Sequence, residues 1–258
     1  MINWEGIRSA LYPIRDYEDL SRRWREGFAY RFVVKSYNYS IIEMADYTAR
    51  LLGGDARNRY AGWAADLIRI FQQLDQHGVK NILGLVEQVD TQESFEGFCL
   101  QTGMDPEEVI NVLKYLVYWF IPMKKYLSEL VKKDPQYAAV IDPLRQAGIR
   151  YNLDLIEQGI TPDARRALAA QVSVDEAQIT RLVNWADFSR MPWASAATIS
   201  NIVGAGYGSI AKLAAADLEQ VKSDFFRYGD SIHKNLKFGN EIESSHRIAK
   251  IVPKVLIE

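Results

Sequence analysis

Residues 77–91, HGVKNILGLVEQVDT, align without a gap to residues 147–161, AGIRYNLDLIEQGIT. The glycine, two leucines, the Glu-Gln pair and the threonine are kept. The register runs on through Gln101 over Gln171 and Asp105 over Asp175, at an offset of 148 minus 78, or 70 residues. A weaker third copy, AGYGSIAKLAAADLEQV from Ala205, places Gly206 58 residues after Gly148, with Leu213 over Leu155 and Leu218 over Ile160. A unit made of a glycine turn, a short helix and a longer capped helix is too small to bury its own apolar face, so such copies are expected to pack on one another. The repeat predicts an N-terminal helical segment over 1–75, a first unit over 76–144, a second and third over 145–230, and a C-terminal extension over 231–258.

Local punctuation points the same way. Gly53 and Gly54 close one apolar-periodic stretch and Asp55 can cap the next. Tyr60, Trp63, Leu67, Phe71 and Leu74 then recur at three- and four-residue spacing until His77 and Gly78. Further helix starts are written as DTQE at 90–93, DPEE at 105–108, TPDA at 161–164 and SVDE at 173–176, which combine capping oxygens, first-turn prolines and third-position glutamates. After DPEE, Val109, Leu113, Leu116, Val117 and Phe120 share one face, while Val112, Tyr115, Tyr118 and Trp119 fill the others. That helix is expected to be central and buried, and Pro122 to end or kink it. With no alternating strand pattern, the fold class is all-α, a multi-helical arrangement of tandem units.

Composition narrows the partners. The 31 basic and 33 acidic side chains leave a net charge of -2, so no global field draws the molecule to nucleic acid or anionic lipid. The nine-residue apolar run YLVYWFIPM at 115–123 falls well short of the roughly 20 residues that span a bilayer. A single cysteine, Cys99, excludes an intramolecular disulfide, and the opening MINWEGIRSAL has no apolar signal core. The expectation is a cytoplasmic protein with no membrane span.

NWADFSRMPWASAATISNIVGAG, with the upstream AGIRYNLDLIEQGITPDARRALA, resembles a bacterial and archaeal family of unknown function within the helix-hairpin-helix superfamily, over roughly residues 145–230. The likeness is good at Asn184, Ala186, Asp187, Arg190 and the Ala205-Gly206 turn. It fails at the hairpin, where the family's Gly-Val-Gly is replaced by Trp193-Ala194-Ser195. The resemblance implies a fold and no particular activity. Hairpin glycines permit positive φ and let backbone N–H groups approach a phosphate. Their loss here predicts a degenerate hairpin in which Trp193 packs, Ser195 caps the helix starting at Ala196, and phosphate contact is gone.

The most nucleic-acid-like stretch is SRRWREGFAYRFVVKSYNY. Arg22, Arg23, Arg25, Arg31 and Lys35 are interleaved there with Trp24, Phe28, Tyr30, Phe32, Tyr37 and Tyr39, and Glu26 is its one acid. Such interleaving suits a single-strand or RNA binder, in which cations meet phosphates and rings stack on bases. The more usual origin of such a pattern is a helix whose rings are core and whose arginines form a rim, with Leu20, Trp24 and Phe28 facing protein. Catalytic chemistry is poorly represented. His77, His233 and His246 are far apart, and no paired His or Cys spacing suggests a metal. Cys99 lies among aliphatic and aromatic neighbours, Asp187 has the placement of a cap, and Glu241 and Glu243 lack fixed acid-base geometry.

No catalytic residue and no cofactor are therefore expected. The leading expectation is a non-enzymatic helical scaffold that binds a protein partner or itself. The alternative is a nucleic-acid binder using residues 22–39. A third reading is a carrier whose aromatic interior, 12% of residues, encloses an apolar ligand.

Overall fold

The structure, a computed structural model, describes residues 2–54, 59–132, 134, 137–237 and 240–258, so the expected cap Asp55 lies outside the described residues. Residues 1–123 form one compact unit and residues 124–258 a second. The first contains α1 (Arg8–Leu11), α2 (Tyr17–Phe28), α3 (Arg31–Tyr37), α4 (Ile41–Gly53), α5 (Ala61–Gln76), α6 (Ile82–Gln88), α7 (Gln92–Thr102) and α8 (Pro106–Tyr115), which runs on as a π-helical turn, Leu116–Phe120. The second contains α9 (Leu127–Leu130), α10 (Ala138–Gln146), α11 (Asn152–Gln158), α12 (Pro162–Val172), α13 (Glu176–Phe188), α14 (Ala196–Gly204), α15 (Ile210–Ala215), α16 (Leu218–Ser231) and α17 (Glu241–Ala249). Among the described residues there is no strand, so the chain is all-α, and no helix is long and apolar enough to cross a membrane. The division at 123/124 follows packing, and it cuts through the 76–144 stretch marked out by the repeat, because α9 and α10 lie in the second unit.

Three glycine turns set the helix order. Gly78, Gly148 and Gly206 take φ of 83°, 84° and 101° just after α5, α10 and α14. Each donates its N–H three residues back, and the next residue donates five back: Val79 to Leu74 O at 3.0 Å, Ile149 to Leu144 O at 2.9 Å, Tyr207 to Ile202 O at 3.2 Å. This is the paired-bond helix stop that needs a left-handed residue, and the apolar residues bracketing each stop are buried. After Gly78 the N-caps come at Asn81, Thr91 and Asp105, and after Gly148 at Tyr151, Thr161 and Asp175. Two isolated antiparallel bridges, Ser40 with Asn81 and Tyr126 with Tyr151, place Asn81 and Tyr151, 70 residues apart, at corresponding positions of these stretches. A Cβ at residue 148 would meet no atom within 4 Å. Gly148→Ala is therefore expected to cost only the left-handed backbone penalty, about 1 kcal/mol in a urea titration. A loss several times larger would mean that the turn is crowded.

Two caps differ in detail from the sequence expectation. Thr91 caps α7, but its reciprocal partner is Ser94 instead of Glu93, since the third helical position counted from Thr91 is Ser94. Ser173 is not a cap; it ends α12 at φ 54°, and Asp175 caps α13 through the N–H groups of Ala177 and Gln178. Thr161 and Asp105 cap as expected, each with proline in the first helical turn.

The first unit's core is aromatic. Phe120 sits 5.2, 5.2 and 5.0 Å from the rings of Tyr37, Tyr39 and Tyr47, and Trp63 lies 5.7 Å from Tyr115. α8 is buried at Val109, Ile110, Val112, Leu113 and Tyr115, as its all-round apolar pattern predicts, and the chain leaves the helix at Ile121, ahead of Pro122. In the second unit α13 packs against α11, α12 and α15, burying Ile179, Leu182, Val183, Trp185 and Phe188.

Candidate functional site

Asp16 opens α2 by accepting the N–H of Asp19 at 2.8 Å, and the apolar stripe Leu20, Trp24 is buried with Phe28 half-buried, at the four-residue spacing of one helix face. The arginines outside that stripe are answered by acids. Arg22 reaches Asp19 and, at 2.9 Å, Glu26. Arg23 reaches Asp19 at 3.2 Å and lies over the Tyr118 ring. Arg25 reaches Glu18 and, at 3.3 Å, Asp90. Local charge is thus largely cancelled, and exposed pairs of this kind contribute little to stability. Arg31 and Lys35 are exposed on α3, one turn apart. Trp24, Phe32 and Tyr37 are buried, while Phe28, Tyr30 and Tyr39 are half-buried, which leaves few open ring faces for base stacking.

The loop between α13 and α14 corrects the expectation for the hairpin in two respects. Trp193 takes φ 63°, so the left-handed backbone that glycine would supply is retained without glycine. Its side chain is 53% exposed and does not pack into the core. The turn requires a left-handed residue where Ala194 N–H folds back to Met191 O at 3.2 Å, and that backbone aims the indole outward. Ser195 behaves as expected, accepting the N–H of Thr198 at 3.1 Å to cap α14.

Beneath this loop lies a polar floor that includes residues the sequence reading did not single out. Lys125 Nζ donates to Ser189 O at 3.1 Å and to Ala194 O at 3.3 Å, and burial holds its ammonium below the usual lysine range. The Lys125 N–H donates to Asn152 Oδ1 at 2.7 Å, and buried Asn152 donates to Ser189 Oγ at 2.8 Å. The bridge between Tyr126 and Tyr151 then sets their rings 4.7 Å apart, with Tyr151 donating to the Tyr126 hydroxyl at 3.2 Å. That hydrogen bond raises the Tyr151 phenol above its ordinary value. Lys124 Nζ stands 4.1 Å from the Tyr151 ring centre, and Tyr126 is 56% exposed. Residues 124–126, 150–152 and 189–195 are thereby tied into one neighbourhood. Its only sequence signal was the Lys-Lys-Tyr that follows the apolar run.

Asp187 does not cap a helix. It lies in the last turn of α13, where Oδ1 accepts Arg190 Nε at 2.8 Å and also Nη2, and both residues are buried. Burial pushes its carboxyl above the usual range, against the pull of Arg190. Cys99 is buried, and desolvation pushes its thiol up to about 12. His77 ends α5, and His246 is buried with Nε2 at 2.9 Å from Ala216 O. Glu243 pairs with Lys222 at 3.2 Å. Among the described residues no three His, Cys, Asp or Glu side chains are grouped to hold a metal ion.

No curated protein and no solved structure matches the chain. Residues 137–233, which carry Tyr151, the Asp187–Arg190 pair and the Trp193 loop, match the family described as Domain of unknown function (DUF4332).

Proposed function

We propose that this chain is a non-enzymatic cytoplasmic helical scaffold that binds a protein partner or a second copy of itself. Tandem glycine-turn units form the frame, and the α13–α14 turn is a degenerate helix-hairpin-helix serving as the contact edge. One observation carries the reading: Trp193 displays a half-exposed indole from a left-handed backbone. That conformation costs a non-glycine residue about 1–2 kcal/mol, so the residue is disfavoured within its own turn. An external contact accounts for it, since tryptophan and tyrosine are the side chains most often central to protein interfaces. The neighbouring Tyr126–Tyr151 pair extends the same edge.

Trp193→Gly is expected to leave unfolding free energy within about 1 kcal/mol of the parent, because relief of the backbone offsets the lost indole contact and the looser unfolded chain. It is expected to weaken self-association or partner binding about tenfold or more, read by sedimentation across concentration and by recovery of a protein partner from extracts of the source cells. Monomeric behaviour together with recovery that ignores Trp193 and Tyr126 would sink the reading. Recovery of nuclease-sensitive material absorbing at 260 nm, lost on reversing the charges of Arg22, Arg23 and Arg25, would instead favour the nucleic-acid reading through residues 22–39.

A further inference from the structure

α12, α13 and α15, with the end of α17 and the non-helical stretch 252–258, line a cavity of about 510 Å³ that is partly open to solvent. Pockets of this volume are the scale of small-molecule ligand sites. The space exists because Ala211, Ala214 and Ala249 stand on its wall where longer side chains would fill it, beside Ile210 and Val252.

The opposite wall is polar and incompletely matched. Thr180, Asn184 and Asp187 line the cavity from one face of α13, spaced by four and three residues. Arg190 answers Asp187, but the side chains of Thr180 and Asn184 make no hydrogen bond among the described residues. Arg165, buried on α12, also lines the cavity. Its guanidinium donates only to carbonyl oxygens: Gly159 at 3.0 Å, Ile160 at 3.4 Å and Ile257 at 3.0 Å. Among the described residues no carboxylate comes within ion-pair distance of it, whereas Glu258, which also lines the cavity, accepts from Ser209 at 3.1 Å. A buried cation that bonds only neutral oxygens is incompletely compensated and favours an anion beside it.

We infer that this cavity binds a small amphipathic anion, an organic carboxylate or sulfonate. Its acid group lies at Arg165 with Thr180 and Asn184 alongside, and its apolar body lies against Ile210, Ala211, Ala214 and Ala249. The inference is independent of the contact edge at Trp193. The test uses 8-anilinonaphthalene-1-sulfonate fluorescence on the folded full chain, with octanoate and octanol as competitors and near-ultraviolet dichroism to verify packing.

One bound dye per chain is expected, displaced by octanoate at concentrations about tenfold or more below those of octanol. Arg165→Gln should remove that preference while leaving octanol competition unchanged. Ala214→Phe should abolish binding of all three, and Trp193→Gly should change none. Equal competition by octanoate and octanol in the unaltered protein overturns the charge assignment. Dye binding untouched by Ala214→Phe overturns the site. If Arg165→Gln does not fold, the competition experiment on the unaltered chain and the filling variant still decide.

Discussion

Arg190→Leu is expected to lower the unfolding free energy by about 3–5 kcal/mol, while Asp187→Leu with Arg190→Leu is expected to recover most of that loss. Arg190 and Asp187 are both buried, and Arg190 Nη1 also donates to Pro253 O at 3.0 Å, so the guanidinium ties the end of α13 to the non-helical stretch 252–258. Removing it strands a carboxylate in the last turn of a helix, beside carbonyl dipoles of the same sign. Burial already raises the Asp187 carboxyl, and without Arg190 the rise should be larger. A carboxyl whose folded value exceeds its unfolded value contributes stability that is present below the unfolded value and is lost as pH rises through the folded one. The deficit of Arg190→Leu should therefore widen from pH 4 upward. Guanidinium titrations of the three proteins at pH 4 and pH 7 measure both effects. Single-variant losses under about 1 kcal/mol, or a pH trend of opposite sign, would show that the pair is not a buried unit.

Phe120→Ala should have a comparable effect, about 3–5 kcal/mol, for a different reason. The ring is buried at the end of the π-helical turn and is shared by Tyr37, Tyr39 and Tyr47, so truncation leaves a cavity bounded by three rigid rings that cannot close in. Phe120→Leu keeps much of the volume and should cost about 1–2 kcal/mol, losing mainly the edge-on ring contacts. Urea titration gives both values, and amide exchange should report faster opening around residues 37–47 in Phe120→Ala. Equal losses for alanine and leucine would argue that ring geometry matters more than volume.

Legibility followed the range of the interactions. Gly78, Gly148 and Gly206 could be placed at helix ends from the sequence because a left-handed stop engages only residues within five positions. Thr161, Asp105 and Ser195 could be identified as caps because a capping oxygen reaches two or three residues ahead. Where two capping candidates stood close together, as at Asp90 and Thr91 or Ser173 and Asp175, composition could not choose the register. The choice fell on Thr91, whose side chain accepts the N–H of Ser94, and on Asp175, whose side chain accepts those of Ala177 and Gln178.

What the sequence by itself determined is therefore the helical class, the glycine stops and most of the caps, all products of local backbone chemistry. The tertiary structure alone decided which polar groups lost water and which rings kept it. Asp187 became a buried ion-pair partner because its carboxylate and Arg190 are covered by a stretch 63 positions further on. Lys125 was drawn under the Trp193 loop by carbonyls 64 and 69 positions away. The cavity at Arg165 needs Ile257, 92 positions distant, to complete its wall. Trp193 reads as a core residue by type, yet it is exposed because the turn imposes a left-handed backbone whatever side chain stands there. Burial and exposure depend on which helix faces meet, and that is settled by the packing of the whole unit, beyond the reach of any periodic pattern along one segment.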